Sequence, residues 1–429
     1  MNKIKTPLLY GLLALLAFLP FHTLVTVWLA SSFGHLYLWS AWKEVLVAAL
    51  GLAWMYGVMK DAKLRKLLLA PAYNRVALAY LLLCTLYVLI QRLTSTAIVG
   101  YAINTRFVVM FLVAQMIMYY TPSASTRLRK LCVAGAVVVA TLAVLQITIL
   151  PANLLTHFGY DPVGVNTPGI PPAAHRVAAE SSLYRAQSTL RGPNVLGAYL
   201  ILPIAFACYE YWYKKRKAML IVAGALGVGL LASYSRSALI GLALGALVWL
   251  ALKLPKGYIR RYRYALAVMV LVTLLATPLL WRSKYFQTVV LHHNQDITAV
   301  QSNEGHLLLS QEAARSVLRD PLGDGLGSAG PSSALADQND ARIAENYYLQ
   351  VGQEVGWLGF VLFIGLQVSV LVALWQRKQE AYALPVFIAM LALASTNLLL
   401  HTWSDEVVSI IAWTFAGLVL APKWPKKSS

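Results

Sequence analysis

Two arginines sit where charge is expensive. Arg236 lies between two long apolar runs, in Leu231-Ala-Ser-Tyr-Ser-Arg-Ser-Ala-Leu239. Arg191 opens another, in Leu190-Arg-Gly-Pro-Asn-Val-Leu-Gly-Ala-Tyr199. An arginine held near hydrocarbon needs a partner or a task. Its planar guanidinium grips phosphate oxygens two at a time, which a lysine cannot do. The bland reading is that both simply anchor an interface to lipid phosphate.

The elements that hold them are membrane spans. The chain has 429 residues, 59% hydrophobic and only 12% charged. A soluble domain carries about 25% charged residues, so this is a polytopic membrane protein. A net charge of +19 first suggests nucleic acid. The basic residues fall instead in short clusters between apolar runs, which excludes a nucleic-acid face. Cys84, Cys132 and Cys208 all lie inside apolar runs and offer neither a disulfide framework nor metal spacing. Met1 to Pro20 looks like a signal peptide, with Lys3 and Lys5 before an apolar stretch. No small-residue cleavage site follows, so it reads as an uncleaved first span.

A span takes about 20 apolar residues. About twelve candidates satisfy that, near 8–29, 37–59, 75–92, 102–120, 131–150, 194–213, 218–234, 237–253, 264–281, 347–374, 382–401 and 405–422. The basic clusters then fall on alternate loops: Lys3/Lys5, Lys60 to Lys66, Arg127 to Lys130, Lys214 to Lys217, Lys253 to Arg263, Arg377/Lys378 and Lys423 to Lys427. An even count with both termini cytoplasmic places all of them inside. With Arg75 also inside, the twelve remaining cations are ten arginines and two lysines, all expected on the other side. That preference favours geometry over bare charge there, although arginine also tolerates interfaces better than lysine.

The expected organisation follows. Residues 1–150 form a five-span region and 151–193 an external loop. Residues 194–281 form a four-span region that carries the arginines. Residues 282–346 form a large external loop between spans nine and ten, and 347–429 a three-span region. The first loop is rich in Pro and Gly (Pro162, Gly164, Pro168, Gly169, Pro171, Pro172) and reads as irregular surface or lid. In the second, 305–319 has apolar residues at helical spacing, predicting an amphipathic helix on the membrane or the bundle. Asp320-Pro-Leu-Gly-Asp-Gly-Leu-Gly327 then ends it with turn chemistry.

Four segments taken together resemble the O-antigen ligase family, with its polymerase-like and protein O-oligosaccharyltransferase relatives. They are Arg191-Gly-Pro-Asn-Val-Leu-Gly197, Ser233-Tyr-Ser-Arg-Ser-Ala-Leu-Ile-Gly241, Asp320 to Gly327, and Glu345-Asn-Tyr-Tyr-Leu-Gln-Val-Gly-Gln-Glu-Val-Gly-Trp-Leu-Gly359. The likeness covers roughly 185–375. It implies an all-α, GT-C-like glycosyltransferase in a Gram-negative inner membrane, with its active site facing the periplasm. It implies a glycan donor linked to undecaprenyl pyrophosphate and, for the ligases, a lipid A–core acceptor. Arg191 and Arg236 match arginines the family uses on the donor pyrophosphate. Many ligases carry a catalytic His where this chain has Glu345, followed by the expected Asn346.

That resemblance sets the chemistry to be weighed. Fixed guanidiniums aimed at a leaving pyrophosphate stabilise it as the bond breaks. Arg185 and Arg282 could assist, while Arg92 and Arg106, near span ends, are weaker candidates. Glu345 could serve as general base for the acceptor hydroxyl. Its bland reading is a first-turn carboxylate favoured by a helix dipole. His306, His401 and the pair His292/His293 are substitute bases, or merely exposed loop histidines. Asp324, Asp337 and Asp340 lack the spacing of a metal-holding Asp-x-Asp, so no metal and no cofactor is expected. Tyr347, Tyr348 and Trp357 read as belt aromatics or as lining for a polyprenyl chain. A flippase for polyprenyl-linked glycans is the competing class. It needs charges deep in several spans around a cavity. The sequence places most charges near span ends and favours an enzyme.

Overall fold

The computed structural model describes residues 2–165, 167–177, 183–253, 309–335, 342 and 346–422. The candidate span 264–281 and the residues Arg282, His292, His293, His306, Asp337, Asp340 and Glu345 lie outside them. The described helices are α1 (Asn2–Phe18), α2 (His22–Phe33), α3 (Leu36–Ser40), α4 (Trp42–Lys60), α5 (Ala62–Leu69), α6 (Ala72–Ile90), α7 (Ser95–Tyr120) and α8 (Ala124–Thr148). They continue with α9 (Pro193–Lys214), α10 (Ala218–Ala232), α11 (Arg236–Lys253), α12 (309–319), α13 (Tyr347–Gln376), α14 (Ala383–Thr396) and α15 (Glu406–Leu420). Among the described residues, seven candidate spans are long and apolar enough to cross a membrane, by length and composition. Four shorter apolar helices, α10, α11, α14 and α15, accompany them. Short polar side chains start several helices by accepting otherwise orphaned amides: Asp61 from Leu64, Asn346 from Tyr348 and Leu349, and Asp405 from Val407 and Val408.

α7 is the central post, buried along most of Ile103 to Ile117. α15 packs along it, and Gly417 lets the two backbones meet at the carbonyl of Phe111. Phe107, Trp413, Phe363 and Tyr347 fill the junction with α13. Outward faces stay apolar. Ile221 is 77% exposed and Val361 62%, as lipid-facing positions require.

Contacts tie the helix ends into two opposite sets. At one end Lys5 lies over the Tyr120 ring and Tyr120 donates to Asp61. There too Arg129 and Arg216 pair with buried Glu210, which also accepts from Tyr382. Among the described residues, this end carries the basic loops. At the other end the Tyr347 amide donates to Asn397, and the Ala186 amide to Ala232.

The first external loop is not wholly irregular. Its described part holds a 3-10 turn, Leu154–Phe158, and a two-residue antiparallel pair, His175–Arg176 with Tyr184–Arg185. Residues 309–319 are helical as expected. Ala313 and Val317 are buried, and Val317 packs against Gly352 of α13, so this helix lies on the bundle.

The glycines of the Asp320–Gly327 segment have a structural cause. α13 breaks at Val355 and Gly356, where Gly356 takes φ 65°. The Asp320–Gly327 backbone fills the break: Asp324 and Gly325 donate to the carbonyls of Gln353 and Glu354, and Trp357 donates to Pro321. Gly323, Gly325 and Gly327 all hold positive φ, which favours glycine. Irregular backbone inside a membrane survives only when protein satisfies it in this way. Glu354, fully buried, completes the knot by accepting from Asn104 Nδ2 at 2.6 Å and Gly327 N at 3.0 Å.

One expectation, that Arg106 lies near a span end, needs correction here. Charges are not confined to span ends. Arg106 lies about 16 Å along α7 from Ser95, at 1.5 Å per residue, and is 5% exposed. Glu354 is likewise interior. Both are paired within the protein, which explains why the bundle tolerates them. We expect Glu354→Ala to strand Asn104 and the Gly327 amide, at about 1–3 kcal/mol for each buried donor. The purified variant's melting midpoint in detergent should fall clearly below wild type, and Glu354→Gln should fall less. An unchanged midpoint for Glu354→Ala would show that the knot is dispensable.

Candidate functional site

The site begins with a segment that dips into the bundle. Residues 186–190 are all buried. The Ser188 hydroxyl donates to Val139 O and the Thr189 hydroxyl to Pro20 O. Val139 is interior to the span Ala124–Thr148 and Pro20 to the span Lys5–Phe33. Pro20 sits in the 3-10 turn that interrupts the first span, which leaves its carbonyl free to accept. Gln146 receives the amides of Gln187 and Ser188. α9 therefore starts below the surface, with Pro193 in its first turn, a position that needs no amide donor.

α10 and α11 arrive at the same depth. α10 has 15 residues and rises about 22 Å, against about 30 Å of hydrocarbon. Its start is pinned by Lys214 to Lys217, so the shortfall is at its far end. The turn Ser233–Ser235 closes there, with Tyr234 at φ 50°. Arg236 is the first residue of α11, where the helix dipole is positive. Gly197 of α9 faces Ser233, Ser235 and Ala238, and a methyl group there would collide with them. The two arginine-bearing segments thus pack directly on each other.

Arg185 joins them. Its Nε donates to Ser233 O at 3.1 Å and its Nη2 to Asn194 Oδ1 at 2.7 Å. Both acceptors are neutral, so they orient the guanidinium without cancelling its charge. Burial, and then the neighbouring Arg236, push the Arg185 pKa down to about 10. Arg185 thus feels the charge of Arg236 at the start of a helix, where the dipole favours an anion. His175 accompanies them, held 3.0 Å from Gln187 Oε1; burial and then the charge of Arg185 lower its pKa.

Arg191, exposed, lies three residues before Asn194. Its positive charge reaches Asp405, the cap of α15. Burial and the adjacent Glu406 raise the Asp405 carboxyl above the usual range, while Arg106 and Arg191 oppose that shift. Below Asp405 lies a dense ionic cluster. Arg106 pairs with Glu44 at 2.7 Å and Glu406 at 3.3 Å, and Lys43 lies 3.7 Å from Glu406. Trp42 Nε1 donates to His22 Nδ1 at 3.0 Å. An indole N–H can only donate, so Nδ1 accepts, and His22 Nε2 directs its proton to Glu406, 3.3 Å away.

The structure therefore brings Arg185, Arg236 and Asn194 together, with Arg191 beside them and Asp405 opposite. Asn346 caps α13 at the same end, and its amide donates to Leu398 O. His401 precedes the 3-10 turn Thr402–Ser404 that leads to Asp405. Arg106 belongs to the buried ionic cluster, not to a span end. Arg92 lies after α6, at φ 55°. Tyr347 is core rather than belt. Asp324 is paired with Arg342 at 2.7 Å. Among the described residues, no group of three His, Cys, Asp or Glu side chains is placed to hold a metal ion.

Sequence reasoning passed over Asp405, Glu406, Glu354 and the cluster around Arg106. An ionisable residue inside an apolar run was the available signal for each. It also ranked Arg185 below Arg191, whereas contact places Arg185 at the centre.

The chain finds no match among curated proteins. A family model described as O-antigen ligase matches residues 218–364. That stretch holds Arg236, the Asp320–Gly327 loop and the broken helix α13. Over residues 218–364 this multi-helix membrane chain is similar to the O-antigen ligase family.

Proposed function

We propose that the protein transfers a glycan from undecaprenyl pyrophosphate to lipid A–core at the periplasmic face of the inner membrane. The observation that carries this is the Arg185–Arg236 pair at the start of α11, with Arg191 beside it. The bond between the anomeric carbon and the phosphate oxygen breaks toward these guanidiniums, which stabilise the departing pyrophosphate. The acceptor hydroxyl forms the new glycosidic bond and gives its proton to a carboxylate base, Glu345. Basic loops at the opposite end favour that end as cytoplasmic, with both termini there. A flippase needs charges lining a transport cavity. Here the interior charges of Arg106, Lys43, Glu44 and Glu406 are spent on one another.

Purified protein with a defined polyprenyl-pyrophosphate glycan and lipid A–core tests the reading. A mobility shift of the core supports a ligase. Lengthening of the lipid-linked glycan would reassign it as a polymerase, glycan on an added peptide as a protein oligosaccharyltransferase, and no transfer at all would sink the enzyme reading. We further expect transfer to survive EDTA, because arginines neutralise the leaving group. Activity lost to chelator and restored by magnesium or manganese would show that a cation shares the work.

A further inference from the structure

One more side chain stands among the arginines. His175 is in register with Arg185 across the two-stranded sheet. Residues directly opposite in an antiparallel pair share a face, with Cβ atoms about 5 Å apart. The ring also borders Gly192, the residue after Arg191: a methyl group there would lie 4.0 Å from His175 Nε2. His175 therefore sits between Arg185 and the Arg191-Gly192 corner that opens α9.

The tautomer of the ring follows from its anchor. Gln187, fully buried, gives its side-chain amide nitrogen to two carbonyls, Pro172 O at 2.7 Å and Ala173 O at 3.1 Å. Carbonyls only accept, so the nitrogen of that amide has to face them. Its oxygen then faces His175 Nε2 at 3.0 Å, and it too can only accept. Nε2 therefore carries the ring proton, and in the neutral imidazole Nδ1 is a bare acceptor. Among the described residues nothing donates to Nδ1, and the side chain is half-buried. The neighbouring charges limit what Nδ1 does. Burial, and then Arg185, lower the His175 pKa. A ring kept neutral beside guanidiniums is a poor seat for a proton, which leaves Nδ1 to accept a hydrogen bond.

We propose that His175 Nδ1 accepts a hydrogen bond from the C2 substituent of the sugar joined to the donor pyrophosphate, and so selects donors with a hydroxyl or acylamino group there. This rests on the reading of the arginines as a pyrophosphate site. The pyrophosphate is attached at C1 of that sugar. The ring oxygen on one side of C1 cannot donate, so the nearest sugar group that can is the one on C2. A hydroxyl O–H or an acylamino N–H meets the Nδ1 lone pair. A C2 methylene has no proton to offer and leaves Nδ1 desolvated without a partner.

The test uses the full-length protein in detergent and two synthetic polyprenyl-pyrophosphate glycans that differ only in the first sugar. One has a C2 hydroxyl and the other is 2-deoxy. A deoxy sugar parts from its leaving group more readily on its own, so the readout is the ratio of the two kcat/KM values, each variant against wild type. Three substitutions separate the two nitrogens. His175→Gln can keep an amide N–H on Gln187 Oε1 but removes the acceptor at Nδ1, and the ratio should shift by about tenfold toward the deoxy donor. His175→Ala removes both nitrogens and should shift it as far, so the test survives if either variant fails to fold. His175→Asn can place a carbonyl oxygen near the position of Nδ1 while giving up Gln187, and should shift the ratio much less. An unchanged ratio in folded His175→Gln or His175→Ala, or a loss of rate that falls equally on both donors, would overturn the C2 contact and leave the pyrophosphate reading intact. So would an equal shift in all three variants, which would mark the ring as structural. If wild type transfers from neither donor, the pyrophosphate reading itself falls, and the contact with it.

Discussion

Arg236→Ala should reduce transfer by about a hundredfold or more, the range found when one fixed donor to a transition-state anion is removed. The reason is local. Arg236 stands on the first turn of α11, where the dipole already favours an anion, and Arg185 lies close enough to feel its charge. Two guanidiniums this close suit a ligand with two anionic centres. Pyrophosphate supplies those centres, and its charge grows on the bridging oxygen as the sugar leaves. Arg191→Ala should lose a comparable amount. Lysine at either place should restore little, since it lacks the planar fork. Arg185→Ala should show a mixed phenotype, because that side chain also ties Ser233 to Asn194. Single-turnover rates with a defined donor, alongside size-exclusion profiles that report folding, make the measurement. Near-wild-type turnover by well-folded Arg236→Ala and Arg191→Ala would remove the pyrophosphate role from both.

The helices were legible because apolar run length is a direct physical requirement of the bilayer. Apart from 264–281, which lies outside the described residues, each candidate span coincides with a described helix or an adjoining pair. The pairing of ends was also legible, since basic loops must gather on one side, and contacts such as Arg129 with Glu210 join them there. Depth was not. Nothing in the apolar run 194–213 says that α9 starts below the surface. That follows from Ser188 and Thr189 bonding to carbonyls of other spans, Val139 and Pro20, which are distant in sequence. The break in α13 was hidden for a related reason. Gly356 reads as an ordinary small residue in an apolar helix until the Asp320–Gly327 backbone is seen to fill the gap. The same holds for the site. Arg191 and Arg236 stood out by their flanks, whereas Arg185 gains its place only through partners in two other segments. Asp405 was passed over because a carboxylate before an apolar run is read first as a helix cap, which it also is.

The remaining question is which carboxylate takes the acceptor's proton, and a pair of amide substitutions decides it. In sequence Glu345 immediately precedes Asn346, which caps α13 at the site end of the bundle. We expect Glu345→Gln to slow transfer by about a hundredfold or more while donor binding stays near wild type, as for loss of a positioned general base. Asp405→Asn is the control with a built-in safeguard. Asparagine caps a helix about as well as aspartate, so the bonds to Val407 and Val408 survive and only the charge is lost. That variant should keep transfer within about tenfold of wild type, because Asp405 acts through its neighbours Arg191 and Glu406. The pH profile separates the two further. Burial and Glu406 raise the Asp405 carboxyl, so as base it would take up a proton at a higher pH than an ordinary carboxylate does. A base works only when deprotonated, so the rate would then fall on acidification from an unusually high pH. If that fall disappears in Asp405→Asn together with most of the rate, and Glu345→Gln transfers normally, the base is Asp405 and Glu345 is only a carboxylate at a helix start.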